Sequence, residues 1–113
     1  MDEGRFSISA DALYRRLGSA AAPIVVDVRR ARAFDEDERM IVGAFRCPPE
    51  ELAAWQHGRT DSRPFVVYRV HGHEVSQGAP ETLRGFGVDA RYLAGGIGAW
   101  TERSLPTQPR ATA

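Results

Sequence analysis

The chain has 113 residues, enough for one compact domain and too few for two, and 42% hydrophobic with 27% charged residues excludes collagen-like, disordered and membrane-spanning classes. Fifteen basic and fifteen acidic residues cancel to a formal net charge of zero, which removes the basic footprint that non-specific nucleic-acid binding needs. A single cysteine, Cys47, rules out an intrachain disulfide and a multi-cysteine zinc site.

The opening Met1-Asp2-Glu3-Gly4-Arg5 is charged and no long apolar run follows it, so neither a signal peptide nor a membrane span is expected. A reducing, cytoplasmic location fits. Phe6-Ser7-Ile8 reads as a short strand, and Ser9 as the N-cap of a helix whose apolar face is Ala10, Leu13, Tyr14 and Leu17, with Gly18 as the stop. After the loop Ala20-Ala21-Ala22-Pro23, the run Ile24-Val25-Val26-Asp27-Val28 has the β-branched, unalternating character of a strand buried on both faces. Arg30 to Met40 is densely charged and reads as a short helix and surface loop, its acidic stretch Asp35-Glu36-Asp37-Glu38 a solvated face. Ile41 to Phe45 predicts another short strand. Pro48 and Pro49 pre-set a helix start, with Glu50 and Glu51 in the first turn and Leu52 and Trp55 facing inward.

His57 to Arg63 reads as a polar loop, and Pro64 introduces the buried strand Phe65-Val66-Val67-Tyr68. Val75, Ala79, Leu83 and Phe86 mark a helical stripe ending at Gly85 and Gly87, with a kink or late start expected at Pro80. Ala90 to Leu93 is the last strand, Gly95-Gly96 a turn and Ile97 to Arg103 a short helix. Alternating strands and helices predict an α/β fold: a three-layer open parallel sheet of about five strands, helices on both faces, in a single domain over 1–104. Residues 105–113 read as a flexible tail. In such sheets ligands bind beyond the carboxyl ends of the strands, which singles out Asp27-Val28-Arg29 and the loop after Tyr68.

That loop, Arg69-Val70-His71-Gly72-His73-Glu74, leaves a buried strand and enters a helix, converging backbone N–H groups and a helix dipole on one small volume. It is an anion cradle, and a cysteine at its mouth would be held as a thiolate. Asp27 and Arg29 read either as a structural pair or as lining of that site. His71 and His73 flank Gly72 and could both touch one metal, but no further ligand has suitable spacing, so no metal is expected and they read as solvated loop histidines. No cofactor is expected either.

Ile24 to Arg29, Gly43-Ala44, Phe65 to Tyr68 leading into the loop, and Tyr92-Leu93-Ala94-Gly95-Gly96-Ile97-Gly98-Ala99-Trp100, in this order, resemble the rhodanese family over nearly the whole chain. The resemblance implies a sulfurtransferase fold related to that of a class of cysteine phosphatases. It also implies a nucleophilic cysteine at the first loop position, where sulfane sulfur is taken from thiosulfate or a similar donor as a persulfide. Arg69 stands there in this chain, and a guanidinium carries no sulfane sulfur. Glu74 stands near the loop end, where the resemblance implies a basic residue. The expected function is therefore a rhodanese-homology module without persulfide catalysis, which binds a small sulfur-containing anion or a protein partner through the cradle or serves as a regulatory module. The alternative is an active sulfurtransferase, through Cys47 or in a Cys-bearing parent of an Arg69 variant. Cys47 itself reads as a small buried hydrophobe, and a phosphatase lacks both its cysteine and its loop-end arginine.

Overall fold

The computed structural model describes residues 7–20, 22–52, 54, 63–71 and 89–109. Ser7–Ile8 forms β1, and Ser9 caps α1 (Ala10–Leu17) by accepting a hydrogen bond from the Ala12 amide at 3.1 Å. Leu13 and Ala10 of the expected apolar face are buried, whereas Tyr14 stays half-exposed and meets Trp100 edge-on, with ring centroids 6.2 Å apart. β2 is Ile24–Asp27, and α2 is Ala31–Glu36. The segment expected as one strand over 41–45 is divided into β3 (Arg39–Ile41) and β4 (Phe45–Arg46). Gly43 causes the break: its φ of +78° belongs to the left-handed region, which turns the chain between the two strands.

A 3-10 turn over Pro49–Glu51 stands where a helix start was expected, and Leu52 behind it is buried. β5 is Phe65–Tyr68, β6 is Ala90–Leu93, and α3 is Gly96–Glu102. Trp55, Pro80 and the helical stripe from Val75 to Phe86 lie outside the described residues, as does most of the polar stretch before Arg63.

The main sheet has five parallel strands in the order β1-β6-β5-β2-β4. Its central strands β2 and β5 are buried along their length, and successive residues serve opposite faces. Val25, Val66 and Tyr68 pack with Leu13, Ile97 and Trp100 of α1 and α3. Ile24, Val26, Phe65 and Val67 pack with Cys47 and Leu52 on the other side. The sheet is thus a layer between two apolar clusters, which is the α/β architecture expected.

Residues 105–109 are not the frayed tail that their prolines and small side chains suggested. Thr107–Pro109 forms β7, antiparallel to β3, as a second, two-stranded sheet. Side-chain bonds that no local pattern announces hold it there. The Trp100 indole donates to the Pro106 carbonyl at 2.7 Å, and the Gly43 amide donates to Gln108 Oε1 at 2.8 Å. Residues 110–113 lie outside the described residues.

Candidate functional site

All strands of a parallel sheet end at the same edge, and the candidate residues gather there. Asp27 lies level with Tyr68 on one side and Arg46 on the other. Arg69 is therefore one residue past the edge on β5, and Cys47 one residue past it on β4.

Asp27 and Arg29 are both fully buried and are brought together as a pair. Arg29 Nη2 donates to Asp27 Oδ2 at 2.6 Å, Arg29 Nε reaches both carboxylate oxygens at 3.0 Å, and the Arg29 amide donates to Oδ1 at 3.0 Å. The Tyr68 hydroxyl donates to Oδ2 at 3.0 Å and accepts from the Ile41 amide at 3.1 Å. Arg29 continues outward to the Arg39 carbonyl at 2.9 Å and to the Asp37 carboxylate at 3.5 Å. Arg46 Nη1 donates to the Asp27 and Arg29 carbonyls, at 3.1 and 2.6 Å. The Phe34 ring of α2 meets both guanidinium groups, its centroid 4.2 Å from that of Arg46 and 5.4 Å from that of Arg29. This network fastens β2, β3, β4, β5 and α2 to one carboxylate.

The electrostatics follow from burial and pairing. Burial alone would lower the Arg29 pKa, but the hydrogen bond to Asp27 and the Asp27 charge overcome it, so the guanidinium is held above its ordinary value. Burial, then the Asp27 charge, pushes the Tyr68 hydroxyl well above the ordinary phenol range, which keeps it protonated and donating. Tyr68 and Arg46 were not singled out from the sequence. A tyrosine closing an apolar strand and an arginine inside the short apolar run Ala44 to Cys47 were the available signals, since each puts a polar tip where burial demands a partner.

Of the loop after β5, Arg69, Val70 and His71 are described, while Gly72, His73 and Glu74 lie outside the described residues. Arg69 is buried, Val70 half-buried and His71 exposed. Their backbone is fixed from below by α3. The Ile97 amide donates to the Arg69 carbonyl at 2.8 Å, and the Gly98 amide donates to the Val70 carbonyl at 2.9 Å. Gly96 makes this approach possible. A Cβ there would stand 2.4 Å from the Arg69 carbonyl oxygen and 2.5 Å from that of Val70, and its φ of +61° is itself left-handed. Each trans peptide is planar, with its N–H opposite its C=O. Aiming the Arg69 and Val70 carbonyls at α3 therefore turns the Val70 and His71 N–H groups to the other side.

Cys47 is buried, and its amide donates to the Asp27 carbonyl at 3.0 Å. β2 separates its strand from β5, so the backbones at Arg46 and Tyr68 are about 10 Å apart. Burial, then the charge of Glu51, pushes its thiol up to about 11 despite the opposing charge of Arg46. Among the described residues no group of three or more His, Cys, Asp or Glu is placed to hold a metal ion. Among them, too, no helix is long and apolar enough to cross a membrane.

Replacing Asp27→Asn removes the buried countercharge of the Arg29 guanidinium and leaves it the more distant, half-buried Asp37 carboxylate at 3.5 Å. Urea unfolding at neutral pH should show a loss of about 3–5 kcal/mol, and a loss below about 1 kcal/mol would refute the network's role. The raised Cys47 pKa favours the native state fully below the ordinary value of 9.0, and that contribution drains away as pH climbs toward about 11. An aromatic disulfide reagent at pH 8 should therefore modify Cys47 at least about 100-fold more slowly in the folded protein than in denaturant. Equal rates would show an accessible thiol.

The family model of the rhodanese-like domain matches residues 9–103. No significant match is found among curated proteins. Among solved structures, a rhodanese-related protein from Thermoplasma volcanium is similar at 27% identity and a TM-score of 0.76, covering 91% of this chain and 97% of that one. The rhodanese-like domain of a protein from Anabaena sp. is similar at 29% identity and a TM-score of 0.77, covering 95% of this chain and 86% of that one. A thiosulfate sulfurtransferase from Pseudomonas aeruginosa shares the fold at 21% identity and a TM-score of 0.72, the match covering 92% of this chain but 19% of that one. With a family match over most of its length and structures of rhodanese-like domains superposing on nearly all of it, this chain belongs to the rhodanese-like domain family.

Proposed function

We propose that this rhodanese-like domain binds a small anion, or a partner presenting one, at the turn after β5 and does not transfer sulfur through a persulfide. The observation that carries this reading is Arg69: a buried arginine, not a thiol, opens the turn whose N–H groups face away from α3. Persulfide transfer needs a nucleophile that can hold sulfane sulfur and release it, and a guanidinium, permanently charged at physiological pH, does neither. The same charge favours an anion nearby, through charge-assisted hydrogen bonds. A small sulfur-containing anion such as thiosulfate is the ligand class most consistent with the family, and a reducing, cytoplasmic setting suits a chain whose one cysteine is a buried free thiol.

The route through Cys47 has less to support it. Its strand is separated from β5 by β2, and its thiol, raised to about 11, is almost wholly protonated at neutral pH. A Cys-bearing parent in which Arg69 is a substitution would leave the rest of the turn competent.

Incubation with thiosulfate and cyanide tests both readings. The protein should give no thiocyanate above background, and intact mass should show no gain of a sulfur atom after exposure to donor. Sustained turnover abolished by alkylating Cys47 would overturn the proposal. Arg69→Cys should acquire measurable turnover if the nucleophile alone is missing.

A further inference from the structure

We infer that the C-terminal segment Leu105–Pro109 is a strap that controls the conformation of the Arg69–His71 turn, with Trp100 as the positioning residue between them. The inference rests on the reading of that turn as an anion site only for its functional meaning.

Two sets of hydrogen bonds, joined through α3, connect the two. The Pro106 carbonyl accepts from the fully buried Trp100 indole at 2.7 Å and from the Val42 amide at 3.3 Å, so one oxygen joins α3 to the β3–β4 turn. Gln108 fastens the same turn at the Gly43 amide, and β7 pairs with β3 beside it. Trp100 is one turn along α3 from Ile97 and Gly98, whose amides hold the Arg69 and Val70 carbonyls. The rigid helix transmits position from one end to the other: fixing Trp100 fixes the two amides, and those amides fix which way the turn's N–H groups point.

The strap is also the weakest of these links. β7 spans three residues of a two-stranded sheet, and its last member, Pro109, has no N–H to give. It leaves α3 through Ser104, whose φ of +57° lies in the left-handed region that favours glycine. Short, two-stranded and strained at its joint, it is placed among the segments that open before the core does. While docked, it holds the turn with N–H groups turned away from α3. Once released, it lets α3 shift and the two carbonyls part from their donors, so any agent that captures the strap lowers the turn's affinity for an anion.

Amide hydrogen exchange in the full chain reads this coupling without any ligand. Two variants loosen the strap: Gln108→Ala removes the acceptor for Gly43, and Trp100→Phe keeps a ring in the core while deleting the indole N–H. In both, exchange at Ile97 and Gly98 should rise at least about tenfold, while Ile24 and Val28 in the central strand region should stay within about twofold. Unchanged exchange at Ile97 and Gly98 would overturn the inference. So would an equal rise at Ile24 and Val28, since that reports general destabilisation. A failure of anion binding would instead remove the functional reading of the turn and leave the exchange contrast standing.

Discussion

Two main-chain hydrogen bonds, from the Ile97 and Gly98 amides to the Arg69 and Val70 carbonyls, are the constraint on which the site depends. They exist because Gly96 carries no Cβ, which would otherwise occupy the space of both oxygens. Gly96 is therefore explained by an approach of backbone to backbone, with no ligand needed, while a Cβ at Gly95 would meet the Ala99 side chain at 2.5 Å. The bonds satisfy donors that a helix start leaves without intrahelical partners, and they orient the turn in the same stroke.

The second constraint is the Asp27 carboxylate. Burying an ion pair gives little net stability, because desolvation consumes much of the attraction, yet breaking one is costly. The value of this pair lies in what it joins. One carboxylate fixes Arg29, which holds the Arg39 carbonyl and Asp37, and Tyr68, which holds the Ile41 amide. α2 has no fully buried residue of its own, so Phe34, packed on the apolar cluster beneath α1 and α3 and against the two arginines, supplies its anchorage. The carboxyl edge of the sheet is thereby rigid beside the turn that begins at Arg69.

Much of this was legible in the sequence. The unbroken apolar runs at Ile24 and Phe65 fixed the central strands, Ser9 and Gly18 marked both ends of α1, and the Asp-Val-Arg and Gly-Gly-x-x-x-Trp patterns carried the family. What escaped has physical reasons. Gly43 divides a run that hydropathy reads as continuous, because a left-handed backbone leaves no trace in apolar content. β7 is polar and proline-bearing, and its place depends on Trp100 and Gln108 making long-range bonds. The further partners of Asp27, Arg46 and Tyr68, come from β4 and β5, and sequence spacing does not report which side chains a sheet brings level.

The central claim is that the turn after β5 holds an anion with the N–H groups of Val70 and His71 beside Arg69. Titration of the isotopically labelled protein with thiosulfate, followed by amide chemical shifts, tests it most directly. Saturable shifts concentrated at Val70 and His71, weakened at least about fivefold in Arg69→Ala, are what the account requires. Shifts scattered over surface arginines without saturation, or none at those two amides, would contradict it.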